Sequence, residues 1–289
     1  MTTDSTAAWT AAFRSAVVSP YETIDLFELR GFAGHTLRQI IRLDGGGTAL
    51  RIRLSNRYGK KPLHITGADV LAPADTRIAV AFGDSWFEGT GTTHDTDHRF
   101  PDLLNQRLRD AGSNGWVVNQ GISANRLLTD EIGEHALARL ERDALTVPGV
   151  THVLIHFGLN DLGIPGQEAY PEPAPIPTAA DLIAGFTALA DRIHAAGLTA
   201  TATTIGPYKD TIYDGYSTPE GLAVAREVND WIRGADSPFD SYADFAAAVA
   251  DPADPDRIHD DHDSGDGLHV NDAGAKALAD SVDLATLTI

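Results

Sequence analysis

From Ile78 onward the sequence alternates short apolar runs with longer amphipathic segments, and no other feature restricts the fold so strongly. The runs are RIAVAFG, GWVVNQG, THVLIHFG, LTATATTIG and a weaker FDSYADF. The stretches FPDLLNQRLRDAG, ADLIAGFTALADRIHAAG, TPEGLAVAREVNDWIRG and NDAGAKALADSV carry apolar residues at three-to-four spacing, as one face of a helix does. Strands that alternate with helices imply a parallel sheet covered on both faces. Gly112, Gly197 and Gly234 stand where three of these helices need C-terminal caps. The proline-rich EAYPEPAPIPTAA reads as an irregular loop.

Upstream the periodicity is different. In ALRIRLSN, Leu50, Ile52 and Leu54 alternate with Arg51 and Arg53, the period-two signature of a half-buried strand. TLRQIIRL and PLHITGADVL flank it, and the turn-rich DGGG and SNRYGKK separate the runs, which predicts a small antiparallel sheet. The pattern changes after Pro73, so two units are expected: a β-rich module over residues 1–75 and an α/β domain over 76–289.

In an open parallel sheet, ligands bind beyond the carboxyl ends of the strands. The residues at those ends are Gly83-Asp84-Ser85, Asn119-Gln120-Gly121 and Gly158-Leu159-Asn160-Asp161, with Asp266-Gly267-Leu268-His269 just before the final helix. Each block alone has an ordinary reading: Ser85 as a turn or cap residue, Gly121 as a strand-exit glycine, Asn160 as a turn asparagine, Asp84 as a hydrogen-bonding loop residue. Together they bring to one rim the residue types of nucleophilic catalysis. A serine needs a base to take its proton, and the imidazolium then formed needs a carboxylate partner. The absence of cysteine excludes a thiol nucleophile, a disulfide and a zinc-thiolate site.

These four blocks, in this chain order, resemble the SGNH (GDSL-type) hydrolase family over about residues 77–281. The resemblance implies a flavodoxin-like three-layer α/β/α sandwich with a central parallel sheet, here preceded by the small antiparallel β module. It implies Ser85 as nucleophile, His269 as general base and Asp266 as the group orienting it. The oxyanion hole would be formed by the Ser85 and Gly121 backbone N–H groups and the Asn160 side-chain amide. It implies ester hydrolysis through an acyl-enzyme, with no cofactor and no metal. The residue after GDS is often aliphatic in this family and here is Trp86, which is expected to line the substrate pocket. TLRQIIRL with GGTALRIRLSNRYGKKPL resembles the β-rich module that precedes the catalytic domain in some actinobacterial and fungal members. Its expected role is a lid or an interface, through which a homo-oligomer could form, with carbohydrate binding as an alternative.

A net charge of −19 argues against nucleic acid and anionic membranes as partners. The expected substrate is a small-molecule or carbohydrate ester with a short, acetyl-type acyl group: the proline-rich stretch from Gly163 to Pro177 would make a firm wall rather than a lipid-facing lid. No signal peptide and no run of about 18 apolar residues is present, so the expected location is the cytoplasm, or outside the cell if a leader has been removed. Two other functions remain open. One is an inactive carbohydrate-binding or scaffold protein; the other is a metal-dependent phosphoesterase using the His- and Asp-rich HDDHDSGDGLH and HDTDHR segments, whose ordinary reading is solvated loop.

Overall fold

The computed structural model describes residues 77–167 and 174–287. The expected N-terminal β module lies outside the described residues, as does the middle of the proline-rich stretch.

Five strands build the central sheet: β1 (Ile78–Gly83), β2 (Trp116–Gly121), β3 (Val150–His156), β4 (Thr199–Thr203) and β5 (Ser241–Ala243). They run parallel in the order β2-β1-β3-β4-β5, as the alternation predicts. This is the flavodoxin-like order, in which the connections reverse direction between β1 and β3 and leave a crevice at their carboxyl ends. Every residue of β1 is buried, which fits a strand covered on both faces.

The four long helices form where their periodicity places them: α2 (Phe100–Asp110), α5 (Ala179–Ala195), α6 (Pro219–Arg233) and α8 (Asp272–Ser281). Thr178 begins α5 with a reciprocal capping box with Asp181, and Thr218 and Asn271 cap α6 and α8 with their side chains. Gly112 and Gly197 adopt left-handed backbone, whereas Gly234 ends α6 in an extended conformation and leaves the helix without a left-handed cap.

Shorter elements complete the layers. Helices α1 (Ser85–Glu88), α3 (Ala136–Leu140, continued by one π turn to Leu145), α4 (Leu159–Gly163), α7 (Phe245–Val249) and α9 (Leu284–Leu287) lie among them. Strands β6 (Ala250–Asp251) and β7 (Asp254–Ile258) form a small antiparallel hairpin. The expectation of an irregular loop beginning at Gly163 is corrected: residues 159–166 are helical and mostly buried, packed by Leu159, Leu162 and Ile164. Helical backbone ends at Gly166. Among the described residues no helix is long and apolar enough to cross a membrane.

Candidate active site

The carboxyl end of β1 is built around a glycine. A Cβ on Gly83 would stand 2.6 Å from the Phe87 ring and 2.9 Å from the His156 carbonyl, so only glycine lets the chain turn there into α1. Asp84 caps that helix, its Oδ1 accepting from the Trp86 N–H at 3.1 Å. Ser85 is the first helical residue, and its N–H therefore has no acceptor within the helix.

The partner of Ser85 comes from the far end of the chain. His269 Nε2 lies 3.1 Å from Ser85 Oγ, and His269 Nδ1 lies 2.6 Å from Asp266 Oδ2. A carboxylate can only accept, so Nδ1 carries the hydrogen and the Nε2 lone pair faces the serine. The loop holds this shape because Asp266 folds it: its Oδ1 accepts from the Leu268 and His269 N–H groups at 2.9 and 2.8 Å. Burial alone would raise the Asp266 pKa, but the His269 ring and these backbone donors outweigh it and hold the carboxyl well below the usual range. Asp266 is thus ionised at neutral pH.

Asn160 is the second residue of α4, and its side chain is buried. Its Nδ2 donates to the Asn125 carbonyl at 3.1 Å and faces Asp84 Oδ2 at a longer 3.4 Å, while its Oδ1 accepts from the Tyr216 hydroxyl at 2.9 Å. The long contact to Asp84 is the one that a stronger acceptor can displace. The next residue, Asp161, accepts from the Leu127 and Leu128 N–H groups and ties the loop after β2 to this corner.

Two sequence expectations are corrected. The Gly121 N–H is already committed, donating to Asn119 Oδ1 at 2.8 Å, and a Cβ on Gly121 would run into the backbone of Phe87 and Glu88. Gly121 therefore serves close packing of α1 on the end of β2 and has no N–H to offer an oxyanion. In the turn that follows, Ala124 takes left-handed backbone (φ 56°), an uncommon conformation for a residue with a Cβ and one that clusters at working sites. Trp86 does not line a substrate pocket. It is 1% exposed, stacks on His156 with ring centroids 5.1 Å apart, and donates Nε1–H to the Leu268 carbonyl at 2.9 Å. Its indole occupies the space that a side chain at Gly206 would need. Its effect is to bolt the helix that carries Ser85 to the residue preceding His269.

Several contributors escape sequence reasoning. Arg139, fully buried on α3, donates to the Gly83 carbonyl at 2.8 Å, the Gln120 carbonyl at 2.9 Å and Asn125 Oδ1 at 2.9 Å, with its guanidinium 4.2 Å above the Phe82 ring. One side chain thus fixes the ends of β1 and β2 and the residue that anchors Asn160. Tyr213 and Ile212, 39% and 67% exposed, form an apolar edge beside the histidine, and Tyr213 Oη donates to Asp266 Oδ2 at 3.3 Å. The N–H of Thr93, just before the HDTDHR segment, and His98 Nδ1 within it both bond Asp272 at the start of α8, at 2.7 Å each. Among the described residues no group of three or more His, Asp or Glu side chains is gathered as metal ligands would be.

Behind the serine lies a buried acid and base. His156 Nδ1 is 2.6 Å from Thr203 Oγ1, whose hydrogen goes to the Ile155 carbonyl, so Nδ1 is the donor of that pair. Among the described residues His156 Nε2 has no hydrogen-bond partner, and it lies 3.8 Å from Asp84 Oδ1. Burial pushes the Asp84 pKa up to about 8 and the His156 pKa down to about 3, so both are neutral in between, and a protonated Asp84 suits the bare Nε2. A carboxyl whose pKa is raised on folding favours the folded state fully below its unfolded value of 3.8, and loses that advantage as pH climbs toward 8. Asp84→Asn cannot ionise. Its thermal midpoint relative to the wild type is therefore expected to rise by several degrees between pH 5 and pH 8.5; a difference that does not change with pH would mean that Asp84 is charged throughout.

A family model for the GDSL-like lipase/acylhydrolase family matches residues 81–277. Among solved structures, the chain is similar to Est24, a carbohydrate acetylesterase from Sinorhizobium meliloti, with 16% identity, 73% of this chain and 99% of that one covered, and a TM-score of 0.53. It is also similar to an aryl esterase from M. smegmatis (18% identity, 70% and 94% covered, TM-score 0.52) and to a GDSL-like lipase from Bacteroides thetaiotaomicron (13% identity, 73% and 88% covered, TM-score 0.52). No curated protein matches the sequence. The family match spans more than half of the chain and includes the serine, asparagine and histidine blocks of the crevice, so the chain belongs to the GDSL-like lipase/acylhydrolase family and is a carboxylic ester hydrolase.

Proposed function

We propose that the protein hydrolyses short-chain esters through an acyl-enzyme on Ser85, with His269 as general base and Asp266 as its orienting partner. The observation that carries this reading is the continuous relay from Ser85 Oγ through His269 to Asp266, with bonds of 3.1 and 2.6 Å. In the first half-reaction Ser85 Oγ attacks the ester carbonyl and gives its proton to His269 Nε2. The oxyanion is held by the Ser85 N–H and the Asn160 amide. As the tetrahedral intermediate collapses, His269 returns the proton to the departing alcohol. Water then attacks the acyl-enzyme with the same base, releasing the carboxylic acid and restoring the serine. Throughout, Asp266 remains ionised and fixes the imidazole tautomer, since a charge is favoured on it even at low pH.

The substrate class follows from the rim. Ile212 and Tyr213 offer one small apolar edge, suited to a short acyl group or an aryl alcohol, and the net charge of −19 disfavours anionic interfaces and long-chain acid products. Trp86, being buried, plays no part in limiting chain length. The names of the acetylesterase and aryl esterase among the similar structures point the same way. With p-nitrophenyl esters, kcat/KM is expected to fall steadily from two carbons to about ten. A rise toward long chains, or a jump in rate at the micellar threshold, would replace the esterase reading by a lipase one.

A further inference from the structure

The loop joining β4 to α6, residues 204–218, carries no recognisable motif, yet it reaches both ends of the proposed machinery. At one end the Thr211 hydroxyl and the Ile212 N–H donate to the Asp266 carbonyl at 2.8 and 2.9 Å, and Tyr213 Oη donates to Asp266 Oδ2. The close seat depends on Gly267, whose backbone is left-handed (φ 68°) and where a Cβ would stand 2.9 Å from the Thr211 Cα. At the other end Tyr216 enters the protein. Its ring is 3% exposed, packs edge-on against Tyr208 with centroids 5.8 Å apart, and fills the space above Gly163 that any side chain there would take.

The hydroxyl of Tyr216 meets Asn160 Oδ1 at 2.9 Å. Because Asn160 Nδ2 donates to the Asn125 carbonyl, the amide oxygen must be the atom facing the tyrosine, so the phenol is the donor. Burial raises its pKa well above the ordinary value, and it keeps that hydrogen over the whole working range. The amide is thereby gripped at both ends, with its oxygen fixed by Tyr216 and one amide hydrogen by Asn125. The other hydrogen is left on the weak contact to Asp84, where an oxyanion can claim it. A donor on the amide oxygen also draws electrons from the nitrogen and strengthens its remaining N–H as a donor.

We propose that Tyr216 is a positioning residue for catalysis, holding and polarising the Asn160 amide that receives the oxyanion. This rests on the reading of Ser85 and Asn160 given above. An oxyanion exists only beyond the Michaelis complex, so a fault in its donor falls on kcat and leaves KM alone.

The test is Tyr216→Phe, which removes one oxygen and retains the ring, assayed with p-nitrophenyl acetate alone and in the Asn160→Ala background. Rates are normalised to sites titrated with a fluorophosphonate, so that any unfolded fraction does not count. The expected result is a kcat lowered roughly tenfold, the worth of one hydrogen bond, with KM within about twofold and no further loss in the Asn160→Ala background. An unchanged kcat would overturn the proposal. So would an equal loss in both backgrounds, since the tyrosine would then act independently of Asn160. Peptide mapping of the fluorophosphonate adduct tests the underlying reading separately. A label away from Ser85 would refute the nucleophile assignment, and a silent Asn160→Ala would refute the oxyanion role and Tyr216's with it.

Discussion

Ser85→Ala is expected to lower hydrolysis of p-nitrophenyl acetate by on the order of 10⁴-fold or more while leaving the thermal midpoint almost unchanged. The two halves of that expectation come from different parts of the site. Chemically, Ser85 Oγ is the only atom of the relay that can become covalently bound, and His269 Nε2 at 3.1 Å has nothing else to activate except water. Structurally, among the described residues Oγ bonds only that ring. Asp84 supplies the helix cap, and Trp86 and Phe87 supply the packing, so none of the anchorage of α1 passes through the serine side chain. His269→Ala should cost a comparable factor, and the double variant should be no worse than either single one, because the groups act as a unit. Steady-state rates and circular dichroism melts on the three variants suffice. More than a tenth of the wild-type turnover in Ser85→Ala would remove the nucleophile from the mechanism.

The largest effect on stability is expected from Arg139→Leu. The guanidinium is wholly buried, and burial lowers its pKa to about 10 against the opposing pull of Asp143, so it is charged at neutral pH. Leucine would fill part of the volume but leave the Asn125 side-chain oxygen without its donor, take one donor each from the carbonyls of Gln120 and Gly83, the latter keeping the Ile122 N–H, and remove a cation from buried Asp143. Breaking a buried charged network by deleting one partner costs about 3–5 kcal/mol, which for a domain of this size is roughly 10 °C. Lysine should not restore it, since a single ammonium cannot reproduce the fork that reaches two strand ends and a loop. Urea unfolding of Arg139→Leu and Arg139→Lys measures both. A shift under about 2 °C would mean that water replaces the lost donors.

The sheet and the Asp266–His269 pair were legible in the sequence for a common reason, since each is written in local pattern, whereas Ser85 was joined to that pair only through the family resemblance. IAVAFG must be a doubly covered strand wherever it sits, and Asp266 and His269 lie three residues apart on one loop. What escaped reading depends on distant neighbours. Trp86 is core because Gly206 opens a slot for it and the Leu268 carbonyl accepts its N–H, and neither fact resides near residue 86. Gly121 reads as an oxyanion donor from its place at the rim; only the packed α1 shows that it is a spacer and that the Asn119 side chain takes its N–H. Arg139 sits in a short helix whose charged residues, Arg139, Glu141, Arg142 and Asp143, suggest a solvated face. Tyr216 is one tyrosine in a polar loop until Gly163 makes room for its ring. The β6–β7 hairpin was hidden by two prolines and its own brevity.

Ser85 and His269, the proposed nucleophile and base, are separated by 184 positions in the chain. That distance makes catalysis a property of the finished tertiary structure, with no fragment of the polypeptide able to hold it in part. The loop bearing His269 is seated by α8, which Arg107 of α2 clamps through the carbonyls of Ala279 and Val282. Contacts of such long sequence separation close late, after the local pairings of neighbouring strands have met the entropy of smaller loops. A nascent or refolding chain can thus hold its sheet, and even its serine at the end of β1, while remaining inert toward esters. The Ser85–His269 contact is complete only where α8 and the loop before it are seated on the rest of the domain.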